Sequence, residues 1–388
     1  MPTTSDYLTQ LQQDREDLVD NLETQGISDL TGDETFTELV PRVLDIQTGG
    51  GEVPEKGVIF SEWDSECYPH KAELVGRNIV GSYFFVPQQN GTLGITYKLE
   101  NIKLPTTSTQ INNYAFYNLK NLISVNLPDT ITSIGQYAFY GCTSLALTSL
   151  PEQLTFIGFY TFRGCTNLAL TSLPNRITTI SNYAFQNCTN LALESLPNTI
   201  TSCGYCAFDG CTNLALSSLP DGITTIQNAC FRGCTNLALE SLPSNVTTIN
   251  ADAFVGCSSL KFTTVPDTLA TINGSGFYGC PFKKISMNGI RYLEGATNSD
   301  GVFRNCADLK QVWLGSNVYN NGMKRYVFYD CPKLEKIYIN LPRATVEAFA
   351  NYQYAFMNDT TKTGIIICND DPDFIDKETF DAIDVDTL

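Results

Sequence analysis

The sequence predicts a curved β/α solenoid of about twelve coils, with short parallel strands and short helices, preceded by an N-terminal helical segment. Three observations predict it. Phe116, Phe139, Phe162, Phe185, Phe208, Phe231, Phe254 and Phe277 recur at a constant step of 23 residues. Pro105, Pro128, Pro151, Pro174, Pro197, Pro220, Pro243 and Pro266 keep the same step. The residues between them carry one apolar pattern, P-x-x-I-T-x-I-x-x-x-A-F-x-x-C-x-x-L-x-L-x-x-L, counted here from the proline as position 1. A fixed period of this length marks a stack of identical supersecondary units. One unit cannot bury its own apolar face, whereas stacked copies share a continuous core.

The unit beginning at Pro174 justifies the elements in order. Ile177 and Ile180 supply a short strand. Ile180, Ala184 and Cys188 follow at i, i+4 and i+8, the spacing of one helical face. Leu191 and Leu193 alternate as a second strand does. Leu196 closes the unit, and Pro197 turns the chain by disfavouring helix in the residue before it. Stacking sets like on like, so the threonines of position 5 (Thr109, Thr132, Thr155, Thr178, Thr201, Thr224 and Thr247) are expected to bond along the ladder. Asn167, Asn190, Asn213 and Asn236 form a second expected ladder. At position 21 the outer units have Val125, Val312 and Ile337. The middle units have Thr148, Thr171, Glu194, Ser217 and Glu240 there, which predicts a bulged or shifted second strand in those coils.

The pattern I-x-x-I-x-x-x-A-F-x-x-C-x-x-L, followed by L-P, resembles the bacterial BspA-like leucine-rich repeats. The resemblance covers about three quarters of the chain. It implies a leucine-rich-repeat array and, by the usual role of that group, a surface adhesin that binds host or matrix proteins.

Four segments are expected: a helical anchoring and oligomerisation segment at 1–47, a glycine-containing linker and opening strand at 48–75, the solenoid at 76–367, and an acidic cap or tail at 368–388. In the first, Leu8, Leu11, Leu18 and Leu22 fall at coiled-coil spacing, and Phe36, Leu39 and Val43 line a second helix. The helical pair, the "TGGGE" joint and "KGVIFSEWDSECYP" resemble N-terminal segments of tail and fibre proteins from phages of gut Firmicutes. That resemblance implies attachment to virion structural proteins and, as fibres are often trimeric, a trimer.

The net charge of −17 belongs to the ends. Residues 1–47 carry 11 acids against 2 bases, 368–388 carry 8 against 1, and the rest 22 against 21. A nearly neutral body offers no basic stripe to nucleic acid. No apolar run reaches membrane-spanning length. The first twenty residues have no basic and apolar leader pattern, so cytosolic synthesis is expected.

Nine cysteines occupy position 15: Cys142, Cys165, Cys188, Cys211, Cys234, Cys257, Cys280, Cys306 and Cys331. Zinc sites want close ligand pairs or histidines, and His70 is the one histidine. Leu119 fills the same slot in the first full unit, so the position reads as a small core side chain. Cys203 and Cys206 form a C-x-x-C at positions 7 and 10, where other units have Ile and often Tyr; the core reading again outweighs redox chemistry. Cys230 replaces the alanine of position 11. His70 beside Cys67, and Glu62, Asp64 and Glu66, read as loop and strand residues. No catalytic residue, metal site or cofactor is expected.

The leading functional expectation is a non-enzymatic phage virion protein whose solenoid binds a bacterial surface protein or glycan, with the BspA-like adhesin as the alternative. Contact residues should vary on an exposed position. Position 13 fits, with Tyr117, Tyr140, Arg163, Gln186, Asp209, Arg232, Val255 and Tyr278; Glu194 and Glu240 are further candidates.

Overall fold

A computed structural model describes residues 57–63, 69–75, 79–80, 99–294, 301–320, 322–324, 326–349 and 366–388. The expectations for Leu8, Leu11, Leu18, Leu22, Phe36, Leu39 and Val43 lie outside the described residues. The chain forms two compact units, Met1–Leu147 and Thr148–Leu388.

In the first unit an antiparallel hairpin, Gly57–Trp63 with Pro69–Val75, opens the fold. Its second strand pairs in parallel with Asn101–Lys103, which pairs with Ser124–Val125. A separate parallel ladder joins Ile79–Val80, Gln110–Ile111 and Ser133–Ile134. In the second unit Phe156–Ile157, Thr179–Ile180 and Ser202–Cys203 form one parallel ladder. Thr225–Ile226, Thr248–Ile249, Thr271–Ile272 and Tyr292–Leu293 form another. Partners sit at equal repeat positions, so the 23-residue period is the pairing register. The described residues thus hold ten copies of the strand at repeat positions 6 and 7, against the expected twelve coils.

The helix expected over Ile180–Cys188 does not form. Positions 8 to 15 instead make a ribbon of successive turns, because position 10 is left-handed in every regular coil: Tyr114, Tyr137, Tyr160, Tyr183, Cys206, Ala229, Asp252 and Ser275 have φ between +50° and +60°. Position 14 is left-handed too, and is mostly glycine. Such φ values cost L-residues about 1–2 kcal/mol each. The compensation lies in hydrogen bonding. Odd positions donate within the coil, as Tyr117 N to Tyr114 O and Leu119 N to Phe116 O. Even positions donate to the next coil, as Tyr114 N to Gln136 O, Phe116 N to Ala138 O and Asn118 N to Tyr140 O. From Tyr114 to Leu119, positions 10 to 15, every amide has a main-chain partner, where a helix would turn every bond inward.

Phenylalanine stacks form the core. Phe162, Phe185, Phe208, Phe231, Phe254 and Phe277 are fully buried, with successive ring centroids 5.4–5.6 Å apart. Phe116 and Phe139 stack in the same way at 5.0 Å. Beside them the position-15 thiols form a ladder of their own. Cys188, Cys211, Cys234 and Cys257 each donate at 3.0 Å to the carbonyl of the phenylalanine one coil back. Cys142 does so to Phe116 O. Each such carbonyl also accepts the amide of its own coil's position-15 residue, which is Leu119 for Phe116 and cysteine for the others. Cysteine therefore fills the slot and supplies a donor; every described cysteine is free. Burial pushes the Cys257 and Cys331 thiols up to about 12, and Cys188, Cys234, Cys280 and Cys306 well up. They stay protonated and inert at neutral pH.

The threonine ladder bonds to main chain rather than hydroxyl to hydroxyl. Thr132, Thr178, Thr201 and Thr247 donate to the carbonyl of the threonine one coil back, at 3.2–3.4 Å. Thr189, Thr212 and Thr235 at position 16 repeat the arrangement. The asparagine ladder is thin by comparison, with Asn190 Nδ2 3.5 Å from Asn167 Oδ1.

The second strand forms where position 21 is apolar and β-branched. Ser124–Val125, Lys284–Met287, Gln311–Leu314 and Lys336–Ile339 are strands. Between residues 191 and 240 no strand forms at the matching places, and the contact shifts: Ala215 N donates to Leu193 O, and Ala238 N to Leu216 O. The last three strands pair in register with each other and with Ile366–Cys368. Of their outward side chains, Lys284, Ser286, Gln311, Trp313 and Tyr338 are buried, and Lys336 is exposed. They are covered by the acidic C-terminal segment, which returns across this face through the short helix Lys377–Asp381.

Two tests follow from this packing. Cys211→Ala should lower stability by about 1–2 kcal/mol in urea denaturation, while the parent's melting temperature stays the same in reducing agent and in chelator. Gly233 has φ +71°, and an added Cβ would meet nothing closer than Gly210 Cα at 3.7 Å. Gly233→Ala therefore isolates the backbone term and should cost about 1–2 kcal/mol; no change in the denaturation midpoint would contradict the ribbon geometry.

Candidate binding surface

The left-handed residue at position 10 decides what the turn ribbon shows to solvent. It swings its side chain outward beside that of position 13, so the two make adjacent columns. In the first unit both columns are tyrosine. Tyr114 and Tyr137 stack at 4.7 Å with an 8° interplanar angle, and Tyr117 and Tyr140 at 4.9 Å with 13°. The columns touch, at 5.7 Å between Tyr114 and Tyr117 and 5.9 Å between Tyr137 and Tyr140. All four rings are half-buried. Stacking holds them as one aromatic plate, which lowers the entropy lost when a ligand is gripped.

The second unit uses the same positions differently. Tyr160 and Tyr183 stack at 4.6 Å, with the Arg163 guanidinium 5.6 Å from the Tyr160 centroid. The next three residues of position 13 bond to each other. Gln186 Nε2 donates to Asp209 Oδ2 at 2.7 Å, and Arg232 donates to both Asp209 oxygens, from Nε at 2.8 Å and Nη2 at 2.7 Å. Asp209 holds the Arg232 pKa above its usual value, chiefly through that hydrogen bond. Val255 is half-buried. Farther on, Arg304 lies between two rings, 5.6 Å from Tyr278 and 5.5 Å from Tyr329.

These positions correct the expectation that all of position 13 is exposed. Gln186 and Asp209 are buried, at 8% and 7% exposure, because their short reach and the lateral bonds draw them between neighbouring coils. Arg232 is half-buried and spends its fork on Asp209. Tyr117, Tyr140, Arg163 and Tyr278 keep an accessible edge. Glu194 and Glu240 are exposed, and Glu240 pairs with Lys261 at 3.4 Å. Tyr114 and Tyr137 were not among the expected contacts. Their signal was present, as Tyr114, Tyr137, Tyr160 and Tyr183 repeat in phase at a position the core does not use.

The C-x-x-C separates in space by role. Cys203 is buried in its strand, while Cys206 is half-buried at φ +52° in the tyrosine column. Burial, then Asp209, pushes the Cys206 thiol up, which opposes thiolate chemistry. The one grouping of possible metal ligands among the described residues is Cys368, Asp370 and Asp371. Arg343 holds Asp371 there by a direct ion pair and lowers its pKa. His70 and Glu62 lie in the strands of the opening hairpin, and Asp64, Glu66 and Cys67 lie outside the described residues. No helix among the described residues is long and apolar enough to cross a membrane.

Asp209→Ala should cost about 1–3 kcal/mol, because it strands a buried amide and a half-buried guanidinium; adding Arg232→Ala should recover part of it in a double-mutant cycle. Additive losses would show that the row is not coupled.

Among solved structures, a leucine-rich repeat protein from Bacteroides ovatus shares 21% identity with this chain. The match covers 74% of this chain and 76% of that one, at a TM-score of 0.50. A leucine rich cell surface protein from Faecalibacterium prausnitzii shares 20% identity over 87% of this chain and 99% of its own, at a TM-score of 0.45. The pneumococcal vaccine antigen PcpA shares 18% over 74% and 88%, at 0.42. No curated protein matches the chain. The family model for the BspA type leucine rich repeat region matches residues 93–215, 157–283, 224–363 and 297–384. These matches span well over half of the sequence, in phase with coils whose positions 7, 12, 15 and 18 build the core, and the chain belongs to the BspA-type leucine-rich repeat family.

Proposed function

We propose that the protein is a non-enzymatic, adhesin-like binding scaffold of a bacterial cell surface. In this reading the tyrosine plate Tyr114, Tyr117, Tyr137 and Tyr140 is its principal contact. The plate carries the proposal, since rigid half-exposed tyrosines are the side chains that anchor protein and glycan ligands at low entropic cost. Membership of the BspA-type family supports the surface role. The mechanism is contact area, with weak sites repeated in phase along an array, multiplied if copies join through residues 1–47. Two of the array's carboxylates are held in ion pairs, Asp209 by Arg232 and Asp371 by Arg343.

The phage-fibre expectation rests on residues 1–75, whereas the family match covers residues 93–384. It therefore yields to the adhesin reading. Binding should be measured by surface plasmon resonance against a panel of matrix proteins and surface glycans. The double variant Tyr117→Ala/Tyr140→Ala should weaken the best binder at least tenfold at unchanged melting temperature. Equal affinity of parent and variant for every member of the panel would sink the assignment of the plate.

A further inference from the structure

The C-terminal segment occupies a face that could take another ligand of its kind. Lys284 is 2% exposed, and its ammonium donates to three carbonyls of the returning chain: Phe380 O at 2.9 Å, Asp381 O at 2.8 Å and Ile383 O at 2.6 Å. Phe380 O and Asp381 O close the helix Lys377–Asp381, and Ile383 O lies just beyond its cap; Phe380 O also accepts from Ile383 N. Lys283 reaches Val385 O at 3.1 Å, and Lys310 reaches Leu388 O. Trp313 Nε1 donates to Ile375 O at 3.1 Å. Phe380 is fully buried against Trp313 and Tyr338, with Phe374, Ile375 and Ile383 around it. Every one of these polar contacts goes to main chain, so the face reads a segment's backbone path and aromatic anchor more than its identity. Residues 372–388 carry six acids, and two of them, Asp381 and Asp384, lie near enough to Lys284 to favour its charged form.

The fit is incomplete. Three buried polar atoms at this contact have no hydrogen-bond partner: Ser286 Oγ and Gln311 Oε1 on the sheet, and Asp381 Oδ1 on the segment. Each such atom costs about 1–3 kcal/mol relative to a hydrated or bonded one. The cover thus gives up energy that separation would return.

We propose that the face made by Lys284, Ser286, Gln311, Trp313 and Tyr338 is a docking site for a short acidic segment of a partner protein with an aromatic anchor, and that residues 372–388 are its resident occupant and competitor. The partner's segment displaces the strap, and its anchor takes the place of Phe380. A site closed for most of the time binds with an apparent affinity reduced by the open fraction.

Two measurements on the full chain test this. In hydrogen exchange, the amides of residues 374–388 should open together at least tenfold faster than those of Lys284–Met287 and Gln311–Leu314. Exchange of both at one rate overturns the proposal. In fluorescence anisotropy, a labelled peptide of sequence 372–388 should bind the Phe380→Asp chain at least tenfold more tightly than the parent, and a scrambled peptide should not. Adding Trp313→Ala should abolish the gain. Equal binding by parent and variant overturns the proposal. So does a Phe380→Asp chain without a melting transition, because the strap would then be part of the fold.

Discussion

Within each unit a coil passes half of its turn-ribbon hydrogen bonds to the next coil, each to the carbonyl one repeat position earlier. Even-numbered residues from 10 to 14 donate across the gap, and odd-numbered ones close turns at home. The alternation requires left-handed residues at positions 10 and 14. It fixes the period too, because one inserted residue would exchange the two sets of donors. The parallel strands, the phenylalanine stack, the thiols and the threonine hydroxyls all act at that same register. Their bonds run between equal positions, or between positions offset by a constant amount. Tyrosine in a left-handed conformation is an unfavourable local choice that the neighbouring coils make affordable in every copy.

The same geometry explains the surface. A helix over positions 7–15 would point its side chains around a cylinder. The ribbon instead aligns position 10 with position 13, coil after coil, and makes columns. Where both columns hold tyrosine, they stack into a plate; where position 13 holds Gln, Asp and Arg in succession, they bond sideways. A column position is therefore free to vary only in sets. A single charge placed between two stacked coils needs a partner 23 residues away.

Much of this was legible in the sequence, and the failures have physical causes. The phase of Phe and Pro gave the register, and Leu119 in a cysteine slot told core from ligand. Ile180, Ala184 and Cys188 mimic a helical face because any closed turn of similar length returns apolar residues inward. The glycines at position 14 were the available sign against a helix. The pairing of Gln186, Asp209 and Arg232 leaves no local trace, since neighbours across coils are remote in sequence; their variation looked like a free surface. Position 21 was read correctly as two classes, apolar in coils that form a second strand and polar in those that do not.

That last distinction bears on the C-terminus. Two-residue strands elsewhere in the array bury one face only, and Thr or Ser can hold the other. The strands Lys284–Met287, Gln311–Leu314 and Lys336–Ile339 are twice as long and buried almost throughout, which is the condition of a parallel strand covered on both sides. Trp313 and Tyr338 on an outward face are therefore tied to the presence of a cover. The acids of residues 368–388 keep that cover soluble when it is away from the sheet, while Phe374, Ile375, Phe380 and Ile383 bring it back. A segment with both properties need not be a permanent wall. The array's main-chain hydrogen bonds follow the register of the ribbon, whereas Ser286 Oγ, Gln311 Oε1 and Asp381 Oδ1 are buried without a partner where the chain meets itself by side-chain contacts.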